Sequence, residues 1–210
     1  MKGKRTLQER KTKGCLFIIS APSGTGKTTL CRRLVSSIPN LHFSVSFTTR
    51  DPRPDEKHDT DYSFISRDVF QQMIDEGEFL EWAEVHGALY GTSKKRVRDL
   101  LDAGIDVLLD IDTQGAAQIK KTHQEGVFIF ILPPSLQTLK ERLEMRMTDS
   151  KEQVEERLKR AVLEIKSYSL YDYVIINDIL DVAFKQLETI VISQHMSTKV
   201  FNPQWIEERF

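Results

Sequence analysis

The stretch APSGTGKTT, residues 21–29, constrains this chain more than any other. It follows the apolar run CLFIIS (15–20) and precedes a helical pattern over 27–37, so it falls where a strand turns into a helix. Small residues there let the backbone fold tightly, so that successive N–H groups and the helix N-terminus point at one anion. In such a phosphate-binding loop Lys27 is placed to reach the outer phosphates of a nucleoside triphosphate, and the Thr28 hydroxyl to ligate Mg²⁺. The candidate triphosphate-binding residues are Ala21, Pro22, Ser23, Gly24, Thr25, Gly26, Lys27, Thr28 and Thr29, with Ala21 where the strict pattern has its first glycine. A glycine-rich turn without a ligand is the plainer alternative, but Gly-Lys-Thr at a strand–helix junction argues against it. The loop by itself does not choose between a GTPase switch, a motor and a small-molecule kinase.

The rest of the chain supplies a matching frame. Apolar runs at 106–112, 127–132 and 173–177 join 15–20 as buried strands, each nearly continuous as expected when helices cover both faces of a sheet. Helical patterns at 114–122, 135–144, 151–168 and 181–195 alternate with them. The expected class is α/β: a P-loop core with a parallel sheet flanked by helices, an inserted lobe and a lid. The core is expected over 14–41 and 93–210, with a lid about 144–157. The small lobe is expected over 42–92, where FSVSF, DYSFIS and FLEWAEV read as shorter strands. Residues 1–13 read as a flexible basic tail.

Composition excludes several function classes. Thirty basic against thirty-one acidic residues give a net charge of −1, which supports no nucleic-acid-coating surface and no polybasic membrane anchor. The longest apolar run, VFIFIL, is six residues and cannot span a bilayer. No apolar stretch of signal-peptide length opens the chain, so a cytoplasmic location is expected. Cys15 and Cys31 read as two reduced thiols in or near a core.

Two further stretches carry chemistry. In LLDIDTQG, Asp110 and Asp112 end a buried strand. Asp110 is placed to hold Mg²⁺ through a water, whereas Asp112 could also cap the following helix. In SFTTRDPRPDEKHDTDYSF (46–64), Arg50 and Arg53 sit three apart among prolines with no apolar rhythm. Guanidinium forks grip phosphate in pairs, so beside a triphosphate loop these arginines fit a second phosphate, with hydroxyl donors from Tyr62 and Tyr90.

These motifs together resemble the guanylate kinase family, bacterial type. The likeness runs from about Leu16 to Met196 through ISAPSGTGKTTL, SVSFTTRDPRP, DYSFI, FLEWAEVHGALYGTS, DVLLDIDTQGAAQI, FILPP, RLEMRMTDS, RLKRA and YDYVIIND. It implies transfer of the γ-phosphoryl group of ATP to GMP, and to dGMP, with Mg²⁺, within purine nucleotide metabolism and GMP recycling. The partners implied are ATP and GMP, and a homodimer is left open. By position the resemblance puts Ser46, Arg50, Arg53, Tyr62, Glu81, Tyr90, Thr92, Asp110 and Asp112 at the GMP site, and makes 42–92 the GMP-binding lobe. It makes Lys27, Arg50, Arg146 and Arg157 catalytic, and places Asn177 and Asp178 near adenine. A carboxylate such as Glu81 suits the N1 and N2 donors of guanine, and the hydroxyls of Ser46 or Thr92 suit its O6.

Some positions depart from the family pattern. Asp55 and Asp59 stand where many relatives have glycine, and aspartate tolerates left-handed turns better than most residues. Met145 and Met147 flank Arg146 in place of glycines. Two other readings are carried: a guanylate-kinase-like module that binds protein without catalysis, and a kinase for another nucleoside monophosphate. The intact loop speaks against the first.

Overall fold

Residues Leu16–Ser20 form strand β1, and every one of them is buried. Alternate side chains of this strand feed two cores. Phe17 and Ile19 pack with Leu30 and Leu34 of helix α1 (Lys27–Ser37) and with Leu187 and Val191 of α7 (Leu180–Gln194). Leu16 and Ile18 pack on the other side with Val97 of α3 (Lys94–Asp102) and Ile119 of α4 (Thr113–Thr122). A strand buried on both faces favours apolar residues at successive positions, which is why Cys15–Ile19 shows no polar alternation before Ser20. Each side chain of that size contributes about 1.5–3 kcal/mol on burial.

A computed structural model describes residues 13–85, 87–122, 125–145, 150–200, 202–208 and 210. The larger sheet has the order β2-β7-β1-β8-β9, from Leu41–Phe43 (β2), Asp106–Asp110 (β7), Val127–Leu132 (β8) and Tyr173–Ile176 (β9). All four pairings are parallel. The expected α/β class with a helix-flanked parallel sheet is therefore correct. The run 173–177 differs from expectation. As the outer strand β9 it buries Ile175 but leaves Tyr173, Val174 and Ile176 exposed, because among the described residues it pairs with β8 alone.

The smaller sheet has the order β4-β3-β6-β5, from Phe47–Thr48 (β3), Ser63–Phe64 (β4), Phe79–Val85 (β5) and Ala88–Ser93 (β6). With helix α2 (Arg67–Asp75) it encloses its own core, in which Phe70 and Phe79 stack with ring centroids 4.4 Å apart. FSVSF is not one strand. Leu41–Phe43 pairs with β7 in the larger sheet, and the chain enters the smaller sheet only at Phe47. The Ser44 N–H still donates to Leu108 O at 3.0 Å, so the crossing falls at Val45 and Ser46.

Helices α5 (Leu136–Glu144) and α6 (Lys151–Ile165) pack through Leu139, Leu143, Val154 and Ala161. Ser150 and Gln153 form a reciprocal capping box at the start of α6, as a Ser-x-x-Gln signature dictates. The expected 151–168 helix ends instead at Ile165 and continues as a 3₁₀ turn, Lys166–Leu170. A short α8 (Pro203–Glu207) follows α7. Residues 1–12 and Arg146, Met147, Thr148 and Asp149 lie outside the described residues.

Candidate active site

The phosphate-binding loop runs from the end of β1 into α1. Gly24 and Gly26 adopt φ of +90° and +89°. A Cβ at Gly26 would lie 2.6 Å from Asn177 Nδ2, and one at Gly24 would lie 2.9 Å from Leu143 Cδ2, so both positions require glycine. No side chain caps α1, so its first N–H groups keep no capping partner. Lys27 Nζ pairs with the Asp110 carboxylate and donates to Ile111 O at 3.0 Å. Thr28 and Thr29 are exposed on the first turn, while Thr25 is buried and its hydroxyl donates to Pro22 O at 2.6 Å.

A buried amide holds this loop from behind. Asn177 Nδ2 donates to Thr25 O at 2.6 Å, and Arg142 Nη2 of α5 donates to Asn177 O at 3.0 Å. Asn177 therefore supports the loop through its amide, a role that its position near Asp178 does not reveal in the sequence. Asp178 is exposed beside it.

The tip of β7 joins the two halves of the site. Asp110 faces Lys27, and two residues on, Asp112 Oδ1 accepts the Gly115 N–H at 2.8 Å and caps α4. The capping alternative raised for Asp112 is thus real, and it is compatible with a binding role for the second carboxylate oxygen. Across from α4, Glu81 of β5 is buried at 6% exposure, and Thr92 Oγ1 donates to its Oε1 at 2.5 Å. Its Oε2 lies where a Cβ on residue 115 would sit, at 2.6 Å, so Gly115 is the residue that leaves room for this carboxylate. Burial pushes the Glu81 carboxyl up to about 7; the Thr92 hydrogen bonds oppose the rise and the Asp112 charge adds to it. The expectation of a buried, site-facing Glu81 holds in its burial. The β5 alternation alone could have placed it on the polar face.

The two arginines sit at the far side of the smaller sheet. Arg50 Nε donates to Tyr90 Oη at 3.2 Å, and its guanidinium carbon lies 5.5 Å from the Tyr62 ring centroid. The Tyr62 and Tyr90 rings meet edge to face at 5.9 Å. Arg53 is exposed, and its backbone N–H donates to Glu56 Oε2 at 2.8 Å. Ser46 is half-buried where the chain enters β3. Arg157 lies half-buried on α6, and Arg146 falls outside the described residues. From the same α6, Glu164 lies near Asp112 and Lys27; burial raises its carboxyl first, with Asp112 adding to the rise. Glu56, Gly115, Arg142 and Glu164 were not picked out from the sequence. Only Glu56 left a signal there, a carboxylate three residues beyond Arg53 in a proline-bounded loop.

A phosphate loop at the carboxyl end of the central strand β1, with a second sheet that presents arginines and a buried carboxylate across the β7 tip, defines a kinase that acts on a small phosphorylated acceptor. Comparison with known proteins narrows the class. The guanylate kinase family model matches residues 13–194. A guanylate kinase of Geobacter metallireducens is 49% identical over 188 residues, covering 90% of this chain and 93% of that protein. One from Psychrobacter arcticus is 50% identical over 186 residues, covering 89% of each. The crystal structure of guanylate kinase from Anaplasma phagocytophilum superposes with a TM-score of 0.72 at 35% identity, covering 90% of both chains. The chain belongs to the guanylate kinase family. The SH3-kinase fragment of tight junction protein 3 matches with a TM-score of 0.50 at 13% identity, over 89% of this chain and 59% of that one, a likeness of fold alone.

Proposed function

We propose that this protein transfers the γ-phosphoryl group of ATP to GMP, giving ADP and GDP, with dGMP as a second acceptor. ATP-dependent phosphoryl transfer follows from membership of the family. The observation that carries the choice of base is the buried pair Glu81–Thr92. The carboxylate accepts from guanine N1 and N2 while the Thr92 hydroxyl, its one hydrogen given to Glu81, holds it in place, which leaves the Ser46 hydroxyl to donate to O6; adenine offers the reverse pattern and would strand these groups.

Transfer itself asks for alignment and charge neutralisation, with no covalent partner from the protein. The loop N–H groups and Lys27 hold the donor phosphates at one end. Arg50 and Arg53, with the Tyr62 and Tyr90 hydroxyls, hold the acceptor phosphate at the other. Arg146 and Arg157 supply charge to the transferring group from the lid side. Mg²⁺ in such sites takes most of its ligands from phosphate and water, with one or two protein oxygens. The exposed Thr28 hydroxyl and the Asp110 carboxylate are oxygens of that kind, so the donor set fits the ion. Bound with ATP, Mg²⁺ would supply positive charge that offsets the negative charge of the phosphates.

No helix among the described residues is long and apolar enough to cross a membrane, and we place the enzyme in the cytoplasm, in purine nucleotide metabolism. A coupled kinase assay with ATP across GMP, dGMP, AMP, CMP, UMP and dTMP tests the proposal. GMP should give the highest kcat/KM. Preference for another base would remove Glu81 from its role, and no turnover with any acceptor would favour a binding module.

A further inference from the structure

Arg50 is gripped by a residue to which the phosphate-binding scheme gives no part. Its Nη1 and Nη2 donate to Glu56 Oε2 and Oε1, both at 2.9 Å, and Nη1 also donates to Asp51 O at 2.7 Å. Glu56 Oε2 accepts the Arg53 N–H as well, and the Glu56 N–H donates back to Arg53 O at 3.0 Å. One carboxylate thus ties the side chain of the first arginine to the backbone of the second.

A guanidinium has five N–H bonds in one plane and offers two bidentate edges, the Nη1/Nη2 end and the Nε/Nη2 side. Glu56 occupies the end. The side edge faces Tyr90, whose hydroxyl accepts from Nε, and the second Nη2 hydrogen has no acceptor among the described residues. The pairing holds the Glu56 carboxyl down at about 2, chiefly through Arg50 and then the Arg53 N–H, so it is a carboxylate at neutral pH.

We propose that Glu56 is a positioning residue for the acceptor phosphate. By seating the end of the Arg50 guanidinium it turns the Nε/Nη2 edge toward the tyrosines, where two oxygens of a phosphate monoester can bind in parallel. Only the Arg50–Tyr90 bond has to yield. Were Glu56 a competitor for Arg50, its departure would break its bonds to both Arg50 nitrogens and to the Arg53 N–H, and the loop would lose its tie. The inference rests on the reading of GMP as acceptor.

Steady-state kinetics of the unsubstituted protein, Glu56→Gln and Glu56→Asp test it, with guanosine as a phosphate-free competitor of GMP. Glu56→Gln should raise KM for GMP by about tenfold or more, the loss expected when a charge-assisted phosphate contact is misaligned. It should change kcat less, leave KM for ATP alone and leave the inhibition constant of guanosine unchanged, because guanosine does not reach Arg50. Glu56→Asp, which keeps the charge, should recover part of the loss. A lower KM for GMP would make Glu56 a competitor. An unchanged KM, or equal weakening of GMP and guanosine, would make it a spectator or a mere support of the lobe. If the unsubstituted protein itself forms no GDP, the acceptor assignment fails and this proposal falls with it, a failure read on a different sample.

Discussion

Glu81 and Lys27 are the residues at which burial and charge set the chemistry most directly. The Glu81 carboxyl is displaced by burial from 4.5 to about 7. A carboxyl raised on folding contributes stability that is complete below its unfolded value and is lost as pH rises through the folded one. Glu81→Gln, which cannot ionise, should therefore gain on the unsubstituted protein between about pH 5 and pH 8, by at most about 3 kcal/mol; urea melts at several pH values check this. Guanine donors favour the ionised form, so KM for GMP should fall as pH rises through about 7, and Glu81→Gln should lose that component. The second ionisation of the GMP phosphate, near about pH 6, is common to both proteins and cancels in the comparison. The same substitution should lower kcat/KM for GMP at least about tenfold. Among the described residues the Lys27 side chain bonds to Asp110 and to the Ile111 carbonyl. Lys27→Ala should cut turnover about a hundredfold or more, while the melting temperature moves by less than about 3 °C. Near-normal turnover would remove Lys27 from the phosphates.

At the scale of elements, the phosphate loop depends on a strand and a helix that it does not adjoin in sequence. Asn177, just after β9, holds the Thr25 carbonyl, while Arg142 and Leu143 of α5 brace Asn177 and Gly24. Asn177→Ala leaves a buried carbonyl without its partner, at a cost of about 1–3 kcal/mol. The loop then loses its fixed curvature, so KM for ATP should rise several-fold while KM for GMP stays near its original value. An equal rise in both would mean that the amide supports the fold as a whole. The acceptor loop shows a local solution of a different kind. Asp59 takes φ +57°, a conformation that favours glycine, and its Oδ1 accepts the Ser63 hydroxyl at 2.5 Å. The hydrogen bond offsets the steric penalty of a left-handed aspartate.

Across the whole molecule, the proposed reaction would divide its substrates between the two sheets. The larger sheet carries the phosphate loop, proposed for the donor, and the smaller one the arginines, proposed for the acceptor, with the β7 tip between them. Arg50→Ala and Arg53→Ala should each raise KM for GMP by about tenfold or more and leave KM for ATP nearly unchanged, as two-substrate kinetics would record. Loss of ATP affinity with an intact GMP response would mean that the two phosphate sites are wrongly assigned.

Local chemistry made part of this legible in advance. CLFIIS, the glycines at 24 and 26 and the helical rhythm of 27–37 each encode their own conformation within a few residues, so the loop and its elements were readable as sequence. So was the placement of Arg50 and Arg53 three apart in one proline-rich loop. The open face of β9, the switch of sheets after Phe43 and the grip of Glu56 on Arg50 were not. Neither was the reach of Asn177 to a carbonyl 152 residues away. An apolar run reads the same on a central strand and an edge strand, and an amide has no sequence signal for a distant partner. The sheet order β2-β7-β1-β8-β9, set by packing of chain-distant strands, decides which of these groups meet.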